Sequence, residues 1–321
     1  MTVRNALLGA VAAATAVALT ACGAQGTPAA EDDGKIKVVA STNVWGSVVE
    51  AVGGDAVEVG AIIDDPSGDP HSYESKPSDL AAVRDADLVI FNGGGYDDFF
   101  ATLLGPDTEA AHKEAARKIE AFTLSGKASD HEEPGASAEP ETDEAGHDHS
   151  VNEHVWYDFA TVRKVADQAA ADLGAIAPDR KAAFEGNAER FDAQLTELEQ
   201  RVAGKGAGKK VLATEPVAHY LLDTAGVEDV TPESFSDAVE NETDIPAAAL
   251  ADVTRLVEQK QVTALVNNAQ TENAATKQVV EGAKAAGLPV AEVTETLPEG
   301  VTGYLDWMTK QVDSLVGALG T

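Results

Sequence analysis

A long amphipathic segment in the middle of the chain reads PDRKAAFEGNAERFDAQLTELEQRV, residues 178–202. Its large apolar side chains recur at spacings of seven, four, three and four residues, which places them on one face of a helix: they are Phe184, Phe191, Leu195, Leu198 and Val202. A helix of about 25 residues is about 38 Å long, and the glycine-rich run 204–208 ends it. The segment therefore predicts a long rigid helix that joins two parts of the chain, with a simple surface helix as the alternative.

Strand-like and helical patterns alternate on both sides of this helix. On its amino-terminal side the pattern predicts strands at 36–40, 56–63 and 87–92 and helices at 44–52, 77–85 and 96–104. On its carboxyl-terminal side it predicts strands at 210–214, 262–267 and 289–294 and helices at 246–259, 272–286 and 301–319. Asp244 as N-cap and Pro246 in the first turn mark one helix start. Two separate sets of this kind predict an α/β protein with two lobes.

Composition limits the possible partners. The chain has 321 residues and a formal net charge of −32, and 44% of its residues are hydrophobic. The length exceeds what one hydrophobic core usually supports, while the apolar fraction is that of a folded protein. A protein with this much negative charge repels phosphate backbones and anionic lipid headgroups. We therefore expect no nucleic acid partner. Cations are the small partners that this charge favours.

The first residues have the pattern of a secretory signal. An apolar run at 6–19 follows Arg4, and it is shorter than the roughly 20 residues that a membrane-spanning helix needs. The ending Leu19-Thr-Ala-Cys22 resembles the lipobox of bacterial lipoproteins, in which the cysteine becomes acylated. We expect a signal peptide at 1–21, a lipid anchor on Cys22, and a flexible tether at 22–34. Cys22 is the only cysteine, so an intrachain disulfide is excluded.

An acidic, histidine-bearing stretch interrupts the first lobe. Between Lys127 and Arg163 the chain has no lysine or arginine. Three histidines lie among the acids of residues 127–152: His131, His147 and His149. Low hydrophobicity with high charge predicts a mobile loop at 127–152. The histidines are either incidental to a solvated acidic loop or a secondary site for weak, exchangeable capture of a divalent cation.

Three signatures of catalysis are incomplete. The triplet Gly93-Gly-Gly95 follows a strand, but Asp97 and Asp98 come next and would repel a phosphate, so a turn is the better interpretation. His131-Glu-Glu-Pro134 lacks the second histidine of a zinc protease. His147 and His149 with His154 have a spacing seen in zinc hydrolases, but a catalytic metal needs ligands on rigid elements. We expect no enzyme activity and no catalytic residues.

Four dispersed residues are better candidates for chemistry. His71, Glu215 and Glu295 each follow a predicted strand, and His154 lies in a short aromatic segment. Ligands of open α/β sheets bind just beyond the carboxyl ends of the strands. Two of the four come from each half of the chain, so facing lobes would bring four donors around one ion. Taken singly, each also has a structural explanation as a loop hydrogen-bonder, a helix cap or a solvated strand end.

Several motifs together resemble those of the zinc/manganese solute-binding proteins of ABC transporters, the cluster A-I metal-binding lipoprotein family. These motifs are Asp69-Pro-His-Ser-Tyr-Glu74, Pro77-Ser-Asp-Leu80, Ala86-Asp-Leu-Val-Ile90 and Glu153-His-Val-Trp-Tyr-Asp158. The resemblance covers nearly the whole chain after the tether. It implies two α/β lobes joined by a long rigid helix, a metal site in the cleft between them, and delivery of the ion to a permease and its ATPase.

The resemblance also implies a metal ligand set. The family's first two metal-binding histidines match His71 and His154. Glu215 stands five residues before Tyr220, as the third ligand does, and Glu295 matches the acid after the last strand. Two departures soften the last two assignments: His219 offers a competing donor near Glu215, and Glu295 replaces the more frequent Asp.

Two imidazoles and two carboxylates give a site of charge −2, which neutralises a divalent ion. Mixed nitrogen and oxygen donors suit Zn²⁺, and oxygen-rich sets also suit Mn²⁺, whereas Ca²⁺ prefers oxygen alone. We favour Zn²⁺, with Mn²⁺ a close second, because intrinsic affinity for such donors rises from Mn²⁺ towards Zn²⁺. We expect an extracytoplasmic monomer that holds one ion per chain on the outer face of the bacterial cell membrane. Its affinity should fall as the imidazoles of His71 and His154 take up protons. The alternatives are a secreted zinc-dependent hydrolase and a surface metal buffer or adhesin.

Overall fold

The computed structural model describes residues 34–66, 68–105, 117–127 and 152–320. The predictions for the signal peptide, for Cys22 and for His131, His147 and His149 concern residues outside these ranges. The described residues all belong to one compact unit.

Two parallel sheets confirm the α/β prediction, and both have the same topology. Within each, the first strand along the chain lies between the second and the third, and the fourth strand pairs with the third. The first sheet contains β1 (Ile36–Thr42), β2 (Val57–Ile63), β3 (Leu88–Phe91) and β4 (Arg117–Glu120). The second contains β5 (Lys210–Ala213), β6 (Glu228–Asp229), β7 (Ala264–Asn268) and β8 (Val290–Val293). Because all pairs are parallel, the carboxyl ends of the strands meet at one edge of each sheet.

Helices follow most of the strands. Those in the first half are α1 (Asn43–Gly53), α2 (Pro77–Asp85), α3 (Asp98–Leu104) and α4 (Ala121–Ser125). The central pair is α5 (Phe159–Ile176) and α6 (Lys181–Val202). Those in the second half are α7 (His219–Ala225), α8 (Glu233–Glu240), α9 (Ala247–Glu258), α10 (Ala274–Ala286) and α11 (Tyr304–Leu319). Among the described residues, no helix combines the length and apolar character that crossing a bilayer requires.

The start of α9 differs from the prediction. Pro246, not Asp244, is the N-cap residue, and no side chain caps this helix by a hydrogen bond. The backbone of Pro246 is extended, with φ −57° and ψ 132°, so the first helical residue is Ala247. The assignment of Asp244 as cap was therefore wrong, because the proline keeps the chain extended past it. Pro77, in contrast, stands in the first turn of α2 as expected.

The connecting helix α6 is amphipathic as predicted, although it begins at Lys181, after a short 3₁₀ turn at Pro178–Arg180. Its buried side chains are Phe184, Ala188, Phe191, Leu195, Leu198 and Val202. The helix packs on α5, on α1 of the first half and on α11 of the second half. One hydrophobic cluster contains buried residues of both halves and of α6. The lobes are therefore joined by a packed core rather than by a floppy hinge.

Polar contacts across this core fix the aromatic segment that follows His154. The Tyr157 hydroxyl donates to the Thr294 carbonyl at 2.7 Å, just beyond β8. The Tyr304 hydroxyl of α11 donates to the Trp156 carbonyl, also at 2.7 Å. Buried hydroxyls of this kind need partners, so both bonds favour a single arrangement of the segment. A loop of the first half is thereby held against the strand end of the second.

Replacing Leu195 by Ala should lower the free energy of unfolding by about 3 kcal/mol, because this fully buried leucine lies in the core that α6 shares with both lobes. Urea unfolding of the ion-free protein would measure the change. Gln194→Ala is the matched control on the exposed face of the same helix turn, and it should alter stability by less than about 0.5 kcal/mol. Equal stability of the two variants would contradict a core role for this face.

Candidate metal site between the two sheets

The loop that follows β2, residues that follow strands of the second sheet, and the connection between α8 and α9 line a cavity of about 440 Å³. Acidic and imidazole side chains line it from both halves of the chain: Asp69, His71, Glu215, Glu240, Glu242 and Glu295. Among the described residues that line this cavity, none is a lysine or an arginine. The cavity therefore lies at the edge where sequence analysis placed a ligand, and its charge favours a cation.

His154 lies fully buried beside this cavity. Its Nδ1 is 3.1 Å from Oδ1 of Asn152, whose amide nitrogen donates to the Pro216 carbonyl at 2.9 Å. That second bond fixes the amide with its oxygen toward the imidazole, so Nδ1 carries the proton and Nε2 keeps its lone pair. Nε2 has no hydrogen-bond partner. Burial, with smaller contributions from His71 and His219, lowers the pKa of His154 well below its usual value, so the ring is neutral. A neutral imidazole with a free lone pair is a metal ligand.

Glu215 and Glu295 are held close together by one amide. Asn268 Nδ2 is 2.7 Å from Oε2 of Glu215 and 2.7 Å from Oε1 of Glu295. Both glutamates are buried, and burial raises both pKa values. The pKa of Glu295 rises to about 8 through burial first and the nearby Glu215 second. Two buried carboxylates side by side are unfavourable unless a cation or a proton accompanies them.

Tyr96 connects three of the four predicted residues. Its ring lies edge-on to His71, with centroids 5.2 Å apart, and 6.0 Å from the ring of His154. Its hydroxyl donates to Oε2 of Glu295 at 3.1 Å. The structure thus brings His71, His154, Glu215 and Glu295 into one neighbourhood, through Tyr96 and Asn268. Their role as ligands stays a prediction.

The glycine triplet before Tyr96 forms the turn that the sequence predicted. Gly93, Gly94 and Gly95 have φ angles of 76°, 69° and 94°, which few other residues adopt. Asp97 closes the turn, because its carboxylate accepts the backbone N–H groups of Asn92 at 2.7 Å and Gly93 at 2.8 Å. The carboxylate thus occupies the amide groups that a phosphate would need. The turn positions Tyr96 instead.

Sequence analysis missed two acids of this site, Glu153 and Glu240. One ligand atom from each of His71, Glu153, His154 and Glu240 lies within 4.8 Å of the others. Oε1 of Glu240 is 3.3 Å from Nε2 of His154 and 3.9 Å from Nε2 of His71. Glu153 directly precedes a singled-out histidine, which was an available signal. For Glu240 the signal was weaker: buried Phe235 and Val239, four residues apart, mark the helix α8 that carries it.

His219 was the competing candidate for the third ligand. Its side chain is 46% exposed on α7, and its Nε2 is 3.4 Å from Oδ2 of Asp223 one turn later. Glu215, in contrast, is 6% exposed and lines the cavity. The geometry therefore favours Glu215 over His219 at this position.

Comparisons with known proteins agree with this geometry. A family model described as ZnuA, zinc-uptake complex component A, periplasmic, matches residues 38–318. The manganese-binding lipoprotein MntA of Halalkalibacterium halodurans is 26% identical over 317 residues, covering 93% of both chains. The zinc-binding lipoprotein AdcA of Streptococcus pneumoniae is 26% identical over 311 residues, which cover 95% of this chain but only 59% of AdcA.

A solved structure supports the fold. The periplasmic zinc-binding protein TroA from Treponema pallidum superposes with a TM-score of 0.67 at 16% sequence identity, over 89% of this chain and 99% of TroA. Since the family model spans most of the chain, this protein belongs to the ZnuA family of metal-binding solute-binding proteins, as the motif resemblance predicted.

Proposed function

We propose that this chain captures one divalent transition-metal ion outside the cell and delivers it to an ABC permease and its ATPase for import. The observation that carries the proposal is the lone pair on His154 Nε2, which is buried without a partner beside a cavity lined by carboxylates. Family membership agrees with such a role.

The ligand set we propose is His71, His154, Glu215 and Glu295. Two neutral imidazoles and two carboxylates would neutralise a divalent ion, and intrinsic affinity for such donors rises from Mn²⁺ to Zn²⁺. We therefore favour Zn²⁺, with Mn²⁺ close behind. The named relatives include a manganese-binding and a zinc-binding lipoprotein, so both ions are represented among them.

Capture without chemical turnover follows from the same donor set. Catalytic zinc sites keep a position open for an activated water, whereas four protein ligands close a tetrahedral site. We infer that the protein is not an enzyme. A chelator-sensitive hydrolysis of ester or peptide substrates by the purified protein would contradict this.

The route to the membrane is inferred from the sequence. We propose that residues 1–21 are removed as a signal peptide and that acylated Cys22 anchors a monomer to the outer face of the cell membrane, with 22–34 as the tether. The rest of the chain would then comprise an amino-terminal lobe at 35–157, connecting helices at 158–204 and a carboxyl-terminal lobe at 205–321. His131, His147 and His149 would capture ions weakly and transiently before transfer to the site.

Metal content of the purified protein, measured by mass spectrometry, should show one ion per chain, and competition titration should give a higher affinity for Zn²⁺ than for Mn²⁺. His71→Ala should lower the affinity by about a hundredfold or more, because it removes a direct ligand. Deletion of residues 130–149 is the control, since it removes only the secondary histidines; it should change the affinity by less than about threefold. The reverse result would move the site into the acidic loop, and several weak sites without a stoichiometric one would indicate a metal buffer.

A further inference from the structure

Glu240, the last residue of α8, reaches the cavity from a direction that no strand end supplies. Its side chain is 15% exposed. Oε1 is 3.3 Å from His154 Nε2 and 3.9 Å from His71 Nε2, and the other oxygen, Oε2, is buried without a hydrogen-bond partner. A buried carboxylate oxygen without a donor is costly. This glutamate therefore occupies a position that needs a positive partner.

The contact with His154 does not supply that partner. Asn152 Oδ1 accepts the Nδ1 proton of the imidazole, so Nε2 presents a lone pair to the carboxylate oxygen. While Glu240 is ionised, two acceptors therefore face each other at 3.3 Å and repel. Neighbouring carboxylates add to the repulsion, because Glu153 and Glu240 both lie near His71 Nε2, each with Oε1 at 3.9 Å. A cation placed between these atoms would convert the repulsion into bonding.

The distances suit ligands of one ion. Two donors that each lie about 2.1 Å from an ion at the tetrahedral angle are about 3.4 Å apart. The observed separation of 3.3 Å between Glu240 Oε1 and His154 Nε2 matches this spacing. The distance from Glu240 Oε1 to His71 Nε2 is 3.9 Å, so each of these two atoms would move by a few tenths of an ångström at most to bind the same ion. The two imidazoles and Glu240 thus already have the arrangement of three neighbouring ligands.

We propose that Glu240 is a direct ligand of the transported ion, bonding through Oε1 beside the two imidazoles. The inference rests on the proposed function and deepens it, because it changes the donor set from two nitrogens and two carboxylates to two nitrogens and three carboxylates. An additional hard oxygen favours Mn²⁺, which takes more oxygen ligands than tetrahedral Zn²⁺. Glu240 is therefore a residue that sets ion preference, and it is supplied by a helix rather than by a strand end.

Glu240→Gln tests the inference, with Glu242→Gln as the matched control. Glu242 lines the same cavity two residues later, but it is exposed, so its variant removes the same charge without removing a ligand. Chelator-competition titrations would give the dissociation constants for Zn²⁺ and Mn²⁺. We expect Glu240→Gln to weaken Mn²⁺ binding by about a hundredfold and Zn²⁺ binding by about tenfold, and Glu242→Gln to change either by less than about threefold. X-ray absorption of the Mn²⁺-loaded variant should show one protein oxygen fewer around the ion.

The outcomes separate this inference from the proposed function. One outcome would be that the wild-type protein binds one ion stoichiometrically, that His154→Ala loses this binding, and that Glu240→Gln behaves like Glu242→Gln. In that case Glu240 is not a ligand, and the proposed transport role stands. If the wild-type protein binds neither ion, both proposals fail. Thermal unfolding of the ion-free variants checks the fold; Glu240→Gln should melt no lower than the wild type, because it keeps the side-chain size and replaces a carboxyl group whose buried oxygen has no donor.

Discussion

His154→Ala should lower the affinity for Zn²⁺ by about a thousandfold, the largest loss expected for any single replacement in this protein, because it removes a ligand that no other side chain can replace. The reason lies in how the structure prepares this imidazole. It is fully buried, Asn152 fixes its tautomer, and the lone pair on Nε2 has no other partner. A ligand already held in the binding geometry adds its full bond energy, with little entropy lost on binding. Chelator-competition titration at pH 7.5 would measure the loss.

His219→Ala is the matched control for this prediction. That histidine is 46% exposed and pairs with Asp223 on the outside of α7, so its replacement should change the affinity by less than about threefold. His154→Gln, which keeps most of the side-chain volume, separates ligand loss from a packing defect. It should lose affinity as His154→Ala does while melting close to the wild type in the ion-free form. Retention of tight binding by both His154 variants would remove the imidazole from the site.

Glu215 and Glu295 could be located from the sequence, because ligands of open α/β sheets bind beyond the carboxyl ends of the strands. The end of a strand is visible in the sequence as the end of an apolar run. Each glutamate follows a buried strand by two residues, after β5 and β8. His154 needed a motif, since no strand precedes it directly. The amide that holds the two glutamates, Asn268, ends β7 and contacts both at 2.7 Å. That contact joins residues more than 25 positions apart in sequence, and no local pattern indicates it.

Glu240 shows why the rest of the site was not predictable. The helix that carries it has eight residues and only three buried ones, Phe235, Ala238 and Val239, so its hydrophobic period is short. The carboxylate faces His154 only because α8 packs against α9 and the second sheet. Strands β4 and β6 were not predicted for the same reason, because they are short and have few buried residues. Local propensity is a weak guide where tertiary packing decides the structure.

The connecting helix was predictable for the opposite reason. Its large apolar side chains, from Phe184 to Val202, repeat over about five turns, and all of them are buried. The hydrophobic period of α6 does not indicate which residues pack against its apolar face. The core that it joins also contains Trp156, Tyr157 and Trp307. The Trp156 carbonyl and the Tyr157 hydroxyl bond across the two halves of the chain, whereas Trp307 bonds to Thr294 within the second half. The two lobes are thus joined by these non-local contacts as well as by the helix.

The affinity for Zn²⁺ should fall by about fiftyfold between pH 8 and pH 6, as expected when an ion displaces one proton from a group with a pKa of about 8. Sequence analysis assigned such a dependence to the imidazoles. We add a carboxyl group to this expectation, because the pKa of Glu295 is raised to about 8, by burial and by Glu215, while that of His154 is lowered. Protons therefore compete with the ion at Glu295 below pH 8, and the affinity is highest above that value.

The raised pKa of Glu295 also affects the stability of the ion-free protein. A rise in pH lowers this stability, whereas it increases the affinity for the ion. The pKa of Glu295 in the folded, ion-free protein is about 8, above its ordinary value of 4.5. Protonation of Glu295 therefore stabilises the folded state, and this contribution is fully present below pH 4.5. It is lost as the pH rises through about 8. The ion-free protein should therefore lose this contribution over the pH range in which metal binding gains strength, and added Zn²⁺ should raise the melting temperature most at pH 8. Titration calorimetry at pH 7 in buffers of different ionisation enthalpy should show release of about one proton per ion. Glu295→Gln, which cannot release that proton, is the control; equal Zn²⁺ affinity of the wild type at pH 6 and pH 8 would exclude Glu295 from the site.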